Sequence, residues 1–292
     1  MAIAVTGSTG TIGTQVVEQL ARRGAEVMAL VRDKAKSALP AGVTPVVGDM
    51  MDVDAMRAAL GKVRTLFLLN AVTPDEITQA LITLNIAREA GIQRIVYFSV
   101  IHSDKFTNVP HFTSKFTAER MIEQFDMPVT ILRPPYFMQN DATLKDAVFG
   151  HGVYPMPIGN AGVSMVDARD LGEVAALYLL KRDRAEEPLA REVVNVLGPD
   201  VLTGESIAAI WSDVLGRSVT YAGDDLAAFE QQVRQHGPSW MAYDMRQMMG
   251  RIQADGMRAD PGDIERLTDL LGRTLRSYRD FAAETARLWQ AG

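Results

Sequence analysis

Apolar and polar positions fall into alternating blocks along the first half of the chain. Short, largely apolar runs at 3–5, 25–32, 44–48, 65–71, 94–100 and 128–134 are separated by stretches whose apolar residues recur every three or four positions. The runs predict buried strands and the stretches between them predict helices. In the first helix, over 11–23, Gln15, Glu18, Gln19 and Arg22 share one face while Ile12, Val16, Val17 and Leu20 share the other. Further helices are predicted over 52–60, 75–90 (closed by Gly91) and 112–125. Continuous Val/Ile/Leu runs alternating with helices indicate a doubly wound parallel α/β sheet covered on both faces, with its ligand at the C-terminal ends of the strands.

The alternation then breaks. Residues 150–166 are rich in Gly and Pro and read as loop. A helix is predicted over 169–181, a strand over 192–198, a helix over 204–215 capped by Thr203, a strand over 218–223, and mostly helix from 225 onward. No internal repeat or low-complexity segment interrupts this order.

Composition narrows the function. The 292 residues are 47% hydrophobic and 23% charged, as in an ordinary water-soluble globular protein. A net charge of −6 argues against a nucleic-acid partner. The lack of cysteine excludes disulfides and thiolate chemistry and is compatible with the cytoplasm. The four histidines, at 102, 111, 151 and 236, have no metal-ligand spacing, so no metal is expected. No apolar stretch is long enough for a membrane span, and the run at 3–5 is too short for a signal-peptide core.

The chemistry starts at the first turn. Gly7, Gly10 and Gly13 sit at three-residue spacing between a strand and a helix, one residue longer than the usual dinucleotide fingerprint. In that context Gly7 makes the turn, Gly10 admits a pyrophosphate and Gly13 lets the helix pack on the sheet. Ser8, Thr9, Thr11 and Ile12 add N–H and hydroxyl groups around the phosphates. The second strand ends in Arg32, followed by Asp33, Lys34 and Lys36. An acid there would bind the ribose of NAD, whereas a guanidinium suits the 2′-phosphate of NADP. Arg32, with Lys36, leads us to expect NADP(H) in preference to NAD(H); Asp33 is the counter-signal. The chain is therefore expected to divide into an NADP-binding Rossmann domain over 1–150 and a smaller α/β, mostly helical substrate-binding part over 151–292, with contributions of the latter to the sheet left open.

Together with these glycines, the segments 30–33 (LVRD), 48–52 (GDMMD), 131–140 (ILRPPYFMQN) and 166–172 (VDARDLG) resemble the NmrA-like branch of the atypical short-chain dehydrogenases/reductases, and 202–221 does too. The resemblance spans about residues 1–221. It implies an NAD(P)H-dependent oxidoreductase, with Asp49 and Met50 near the adenine, Asn70 and Ala71 beside the cofactor, and Pro134, Tyr136 and Phe137 approaching the nicotinamide. The wider superfamily uses a Ser and a Tyr-x-x-x-Lys pair to protonate and orient a carbonyl. Here Ser99 ends its strand at the corresponding place and Lys115 is present, but His111 stands where the tyrosine would be. These three are the catalytic candidates, with Ser99 and Lys115 also at the cofactor. Losing the tyrosine disfavours carbonyl dehydrogenation and leaves direct hydride transfer to a quinone-like or aromatic acceptor. A non-catalytic NADP(H) sensor and a nucleotide-sugar epimerase-like enzyme are the alternatives.

Tyr136, Phe137 and Met138 follow the last parallel strand and are candidates for the acceptor, as is Tyr154 on the Gly/Pro-rich loop beside His151. Met241, Met245, Met248, Met249 and Ile252 recur at helical spacing and read as a core-facing stripe. Asp167 and Asp170 read as caps of a helix start. The expected partner is a small molecule, and the expected assembly a monomer or homodimer.

Overall fold

The computed structural model describes residues 2–33 and 39–291. In chain order the strands are β1 (Ile3–Val5), β2 (Val27–Val31), β3 (Val43–Val47), β4 (Thr65–Leu68), β5 (Arg94–Phe98), β6 (Val129–Arg133), β7 (Val153–Tyr154), β8 (Glu192–Asn195) and β9 (Thr220–Tyr221). The helices of the first half are α1 (Thr11–Arg22), α2 (Val53–Leu60), α3 (Glu76–Glu89) and α4 (Pro110–Gln124). Those that follow are α5 (Ala168–Arg184), α6 (Gly204–Leu215), α7 (Leu226–Arg234), α8 (Ser239–Asp255), α9 (Asp263–Leu271) and α10 (Tyr278–Ala291). The chain forms two compact units. One comprises Met1–Asp104, His111–Arg133 and Ala168–Asn195; the other comprises Lys105–Pro110, Pro134–Asp167 and Val196–Gly292.

The first unit holds a parallel sheet of seven strands in the order β3-β2-β1-β4-β5-β6-β8. β1, β2 and β4 are buried along their whole length, which is why they read as unbroken apolar runs. The edge strand β3 is half exposed and carries Pro45, whose missing N–H is tolerable only at an edge. The seventh strand comes from well beyond the alternating region: β8 pairs with β6 in parallel, from Thr130↔Glu192 to Arg133↔Asn195, after α5 has crossed over. On one face, α2, α3 and α4 bury Met56, Leu60, Leu84, Ala118 and Ile122 against Leu66, Leu68, Ile95 and Tyr97. On the other, α1 packs against α5. The helix expected from 112 begins at Pro110 instead, because proline's fixed φ and absent N–H suit a first helical position. His111 and Lys115 therefore lie in the first two turns.

In the second unit β7 and β9 pair in parallel. Val163 bridges Leu202 and Met257. Thr203 caps α6 as expected, in a reciprocal capping box with Ser206. α10 packs on α6 through stacked Trp211 and Trp289 rings 4.8 Å apart. Residues 138–150, which carry no helical or strand pattern in the sequence, form a 3₁₀ turn at Met138–Thr143 and a π turn at Asp146–Gly150. The methionine stripe is core-facing only in part. Met248, Met249 and Ile252 are buried, Met241 and Met245 half-buried, and the neighbouring Trp240 and Tyr243 exposed.

Candidate functional site

The turn from β1 to α1 is clamped to the end of β4. Thr6 Oγ1 donates to the Leu69 carbonyl at 2.9 Å and accepts from the Leu69 N–H at 2.8 Å. Gly7 follows at φ +59°, a left-handed conformation that L side chains rarely adopt. A Cβ on Gly13 would lie 2.0 Å from the Gly7 carbonyl oxygen, so the fold itself demands glycine there. Gly10 differs. Its φ of −83° and ψ of 173° suit any residue, and its Cβ would meet only the Gly7 oxygen, at 3.4 Å. Among the described residues nothing requires a bare backbone at position 10, and a guest could approach it there.

That guest would meet a helix N-terminus. Gly10 caps α1 without a side-chain hydrogen bond, and the first turn has no acid. Thr9, Gly10 and Thr11 are exposed, while Ile12 is buried. The donors of the first turn and the positive end of the helix dipole therefore face outward, an arrangement that fits a pyrophosphate. Ser8 offers main chain only, because its hydroxyl is buried and donates to the Leu30 carbonyl at 2.6 Å. Arg32 and Asp33 are exposed just past β2. Lys36 lies outside the described residues.

The ends of the next strands carry a buried polar set. Past β3, Asp49 is exposed and accepts from the Met51 N–H at 2.8 Å. Met50 is half-buried, with its sulfur 3.8 Å from Asn70 Nδ2. Past β4, Asn70 is buried and Ala71 exposed. Asn70 Nδ2 also reaches Gln79 Oε1 at 3.5 Å, but no donor meets its Oδ1. At the start of α3, Glu76 is buried and pairs through Oε1 with Lys115 Nζ of α4 at 2.7 Å. Its Oε2 has no hydrogen-bond partner.

One turn further along α4, Glu119 is fully buried and gathers three residues. It accepts from Ser99 at the end of β5, from Ser103 at 3.3 Å, and from the Arg133 guanidinium at the end of β6. Burial works to lower the Arg133 pKa, and the bonds and charge of Glu119 more than offset it. Tyr97, on β5 between the two acids, has its phenol pushed well up by burial and by the charges of Glu76 and Glu119. His111 is largely buried, with its ring edge-on to Phe112 at 4.7 Å.

In the second unit, Tyr136 and Phe137 are half-buried and Pro134 is buried. The backbone of 136–138 is pinned to Val166 by hydrogen bonds at 3.2 and 3.0 Å. Met138 and Tyr154 are completely buried and present no surface. The Tyr154 hydroxyl donates to Asp141 Oδ2 at 3.1 Å, and the Tyr278 hydroxyl donates to the same oxygen. Tyr278 in turn accepts from Trp211 Nε1 at 3.1 Å. Burial pushes the Asp141 carboxyl up to about 7, although both phenols act to lower it. His151, beside this cluster in sequence, is exposed.

The structure thus places Ser99 on Glu119 and Lys115 on Glu76, with Asn70 buried at the end of β4, and so adds two acids that sequence reasoning passed over. Glu76 reads as an ordinary first-turn acid. Glu119 carries a usable signal, since it stands one turn after Lys115 on the face that α4 buries. Asp141 follows no pattern that would mark it. Among the described residues no group of His, Asp and Glu is arranged to hold a metal ion. No described helix is long and apolar enough to cross a membrane.

Comparison with known proteins bears on this site. A sequence model of the NmrA-like family matches residues 1–283, and the chain belongs to that family. The NAD(P)H azoreductase of Xenophilus azovorans is 29% identical over 292 residues, covering 99% of each chain. The solved structure of the NADPH-dependent quinone oxidoreductase QOR2 of Escherichia coli, in complex with NADPH, superposes with a TM-score of 0.84 at 24% identity, over 98% of this chain and 99% of that one. Triphenylmethane reductase from Citrobacter sp. superposes with a TM-score of 0.84 at 22% identity, over 98% of this chain and all of the other. Both structures share its fold.

Proposed function

We propose, from the chain's place in the NmrA-like family, that it is an NADPH-dependent reductase of quinone-like and other conjugated aromatic acceptors. The observation that carries this reading is the β1–α1 turn. Gly7 and Gly13 are dictated by the fold, no described residue excludes a side chain at Gly10, and the helix behind them has no side-chain cap. The azoreductase relative, matched from end to end, supports a nicotinamide cofactor and an aromatic acceptor. The exposed guanidinium of Arg32 supports a 2′-phosphate, since its planar fork binds phosphate bidentately.

In this reading the backbone of residues 8–12 holds the pyrophosphate and Arg32 the 2′-phosphate. Asp49 and Met50 flank the adenine, and Asn70, Ala71 and Lys115 face the nicotinamide half. Pro134, Tyr136 and Phe137 keep the role that family resemblance gives them, on that resemblance alone. The nicotinamide, when bound, supplies hydride. The protein binds, orients and excludes water. Ser99 already donates to Glu119, and histidine rather than tyrosine stands at position 111. The chain therefore lacks the Ser–Tyr pair that would polarise an unactivated carbonyl. Acceptors whose own conjugation absorbs the developing charge need no such pair.

The test is oxidation of NADPH by the pure protein against quinones, azo dyes and cationic triphenylmethane dyes, with NADH in parallel. Turnover that prefers NADPH is expected. Saturable NADPH binding with no turnover on any acceptor would refute the reductase and favour a cofactor sensor.

A further inference from the structure

Asp141 is a fully buried carboxyl with donors on one oxygen only. It lies in the 3₁₀ turn at Met138–Thr143, and its partners Tyr154 and Tyr278 are as deeply buried as it is. Oδ2 accepts from the Tyr154 hydroxyl at 3.1 Å and from the Tyr278 hydroxyl, while Oδ1 meets no donor. That asymmetry fits a neutral carboxylic acid. The carbonyl oxygen has two lone pairs for two phenols, and the other oxygen carries the proton. A carboxylate would spread its charge onto an oxygen stripped of both water and donors, which is costly.

No cation stands by to change this balance. The groups that act on the carboxyl are the two phenols, and burial outweighs them. A third phenol, Tyr136, has its own ionisation opposed by the Asp141 charge. On α10, Arg279 and Asp280 are engaged with Asp213 and Ser277, and Asp200 accepts the Tyr278 N–H at 2.8 Å. Lys145 is half-buried, and Asp146 and His151 of the π turn, like Glu205 of α6, are exposed.

The same bonds join elements far apart in the chain. Asp141 ties its turn to β7 through Tyr154 and to α10 through Tyr278, and Trp211 Nε1 of α6 donates to Tyr278 at 3.1 Å. We propose that Asp141 is a proton-operated latch: its proton keeps the 3₁₀ turn fastened to β7 and α10, and losing that proton releases them while the sheet of the first unit stays folded. The released turn directly follows Tyr136 and Phe137, so the latch also sets how firmly that segment is held. The sign follows from the exposed state. Once open, the carboxyl meets water and returns to about 4. Closed, it holds its proton up to about pH 7, so opening is rarest below about pH 4, grows as the pH rises, and levels off above about pH 7.

The experiment is amide hydrogen exchange of the full-length protein at pH 5 and pH 8, corrected for intrinsic rates and repeated in low urea, for the wild type and Asp141→Asn. Asparagine keeps a carbonyl for the two phenols and cannot ionise. In the wild type, amides of 138–154 and 278–289 should lose about a hundredfold in protection between the two pH values, through an opening that low urea leaves unchanged. Asp141→Asn should keep its pH 5 protection at pH 8. An equal loss in Asp141→Asn would overturn the latch. So would exchange of these segments only by the urea-sensitive unfolding that they share with β1 and β4, because Asp141 would then act on global stability alone. Should Asp141→Asn fail to fold, Tyr278→Phe decides. It removes a donor that lowers the carboxyl, so the rise in opening should continue to a higher pH before it levels off. A plateau at the wild-type pH would overturn the proposal.

Discussion

Each unit of this molecule buries carboxyl groups, and Glu76 and Glu119 in one are held differently from Asp141 in the other. In the first, Glu76 faces Lys115 and Glu119 faces Arg133, so each of these two buried acids has a cation against it. In the second, Asp141 is equally buried but meets only the hydroxyls of Tyr154 and Tyr278, and its Oδ1 meets nothing. A cation offsets the lost hydration of a charge far better than a phenol does. That site therefore favours the protonated acid, with the Asp141 carboxyl pushed up to about 7. The difference teaches that a buried carboxyl held by a cation keeps its charge, whereas one held by phenols alone favours its proton.

Breaking an ion pair should produce the largest effect. Glu119→Ala strands the Arg133 guanidinium and frees the Ser99 and Ser103 hydroxyls, and should cost about 3–5 kcal/mol by denaturant unfolding. A loss below about 1 kcal/mol would show that the network is not a scaffold. The second effect has a sign set by linkage. Asp141 binds its proton more tightly when folded, so its contribution is full below pH 4 and is lost as the pH rises through about 7. Unfolding of the wild type should weaken across that window by about 2–4 kcal/mol more than that of Asp141→Asn. Parallel pH profiles for the two proteins would erase the contrast between the units. The smallest effect belongs to an exposed cation at the end of β2. Exposed Arg32 should be replaceable by Ala without a change in melting temperature, yet NADPH affinity should fall about tenfold while NADH affinity holds. Equal losses for the two cofactors would remove the 2′-phosphate assignment.

Much of the first unit was legible because burial on both faces leaves an unmistakable trace. β1, β2 and β4 are uniformly apolar, and the helices between them alternate at the expected period. The glycine turn was legible for a different reason, since a side chain would be strained at Gly7 and would collide with the Gly7 carbonyl at Gly13. What escaped was whatever depends on partners distant in sequence. β8 finds β6 across about 60 residues. Glu119 meets Ser99 and Arg133 only once α4 and the sheet are assembled, and Asp141 meets Tyr278 across 137 residues. Local periodicity carries no record of such meetings. The 3₁₀ and π turns of 138–150 were invisible for a related reason, since segments that short have no period of their own.

The central claim, that cofactor held at the Gly7–Gly13 turn reduces a conjugated acceptor, meets its most direct test in a single turnover. NADPH-loaded protein is mixed rapidly with a quinone, and the loss of reduced nicotinamide is followed with ordinary cofactor and with cofactor deuterated at the transferring carbon. The account predicts an exponential loss whose rate saturates with quinone and slows on deuteration. Bound NADPH that stays reduced in the presence of excess quinone would contradict it.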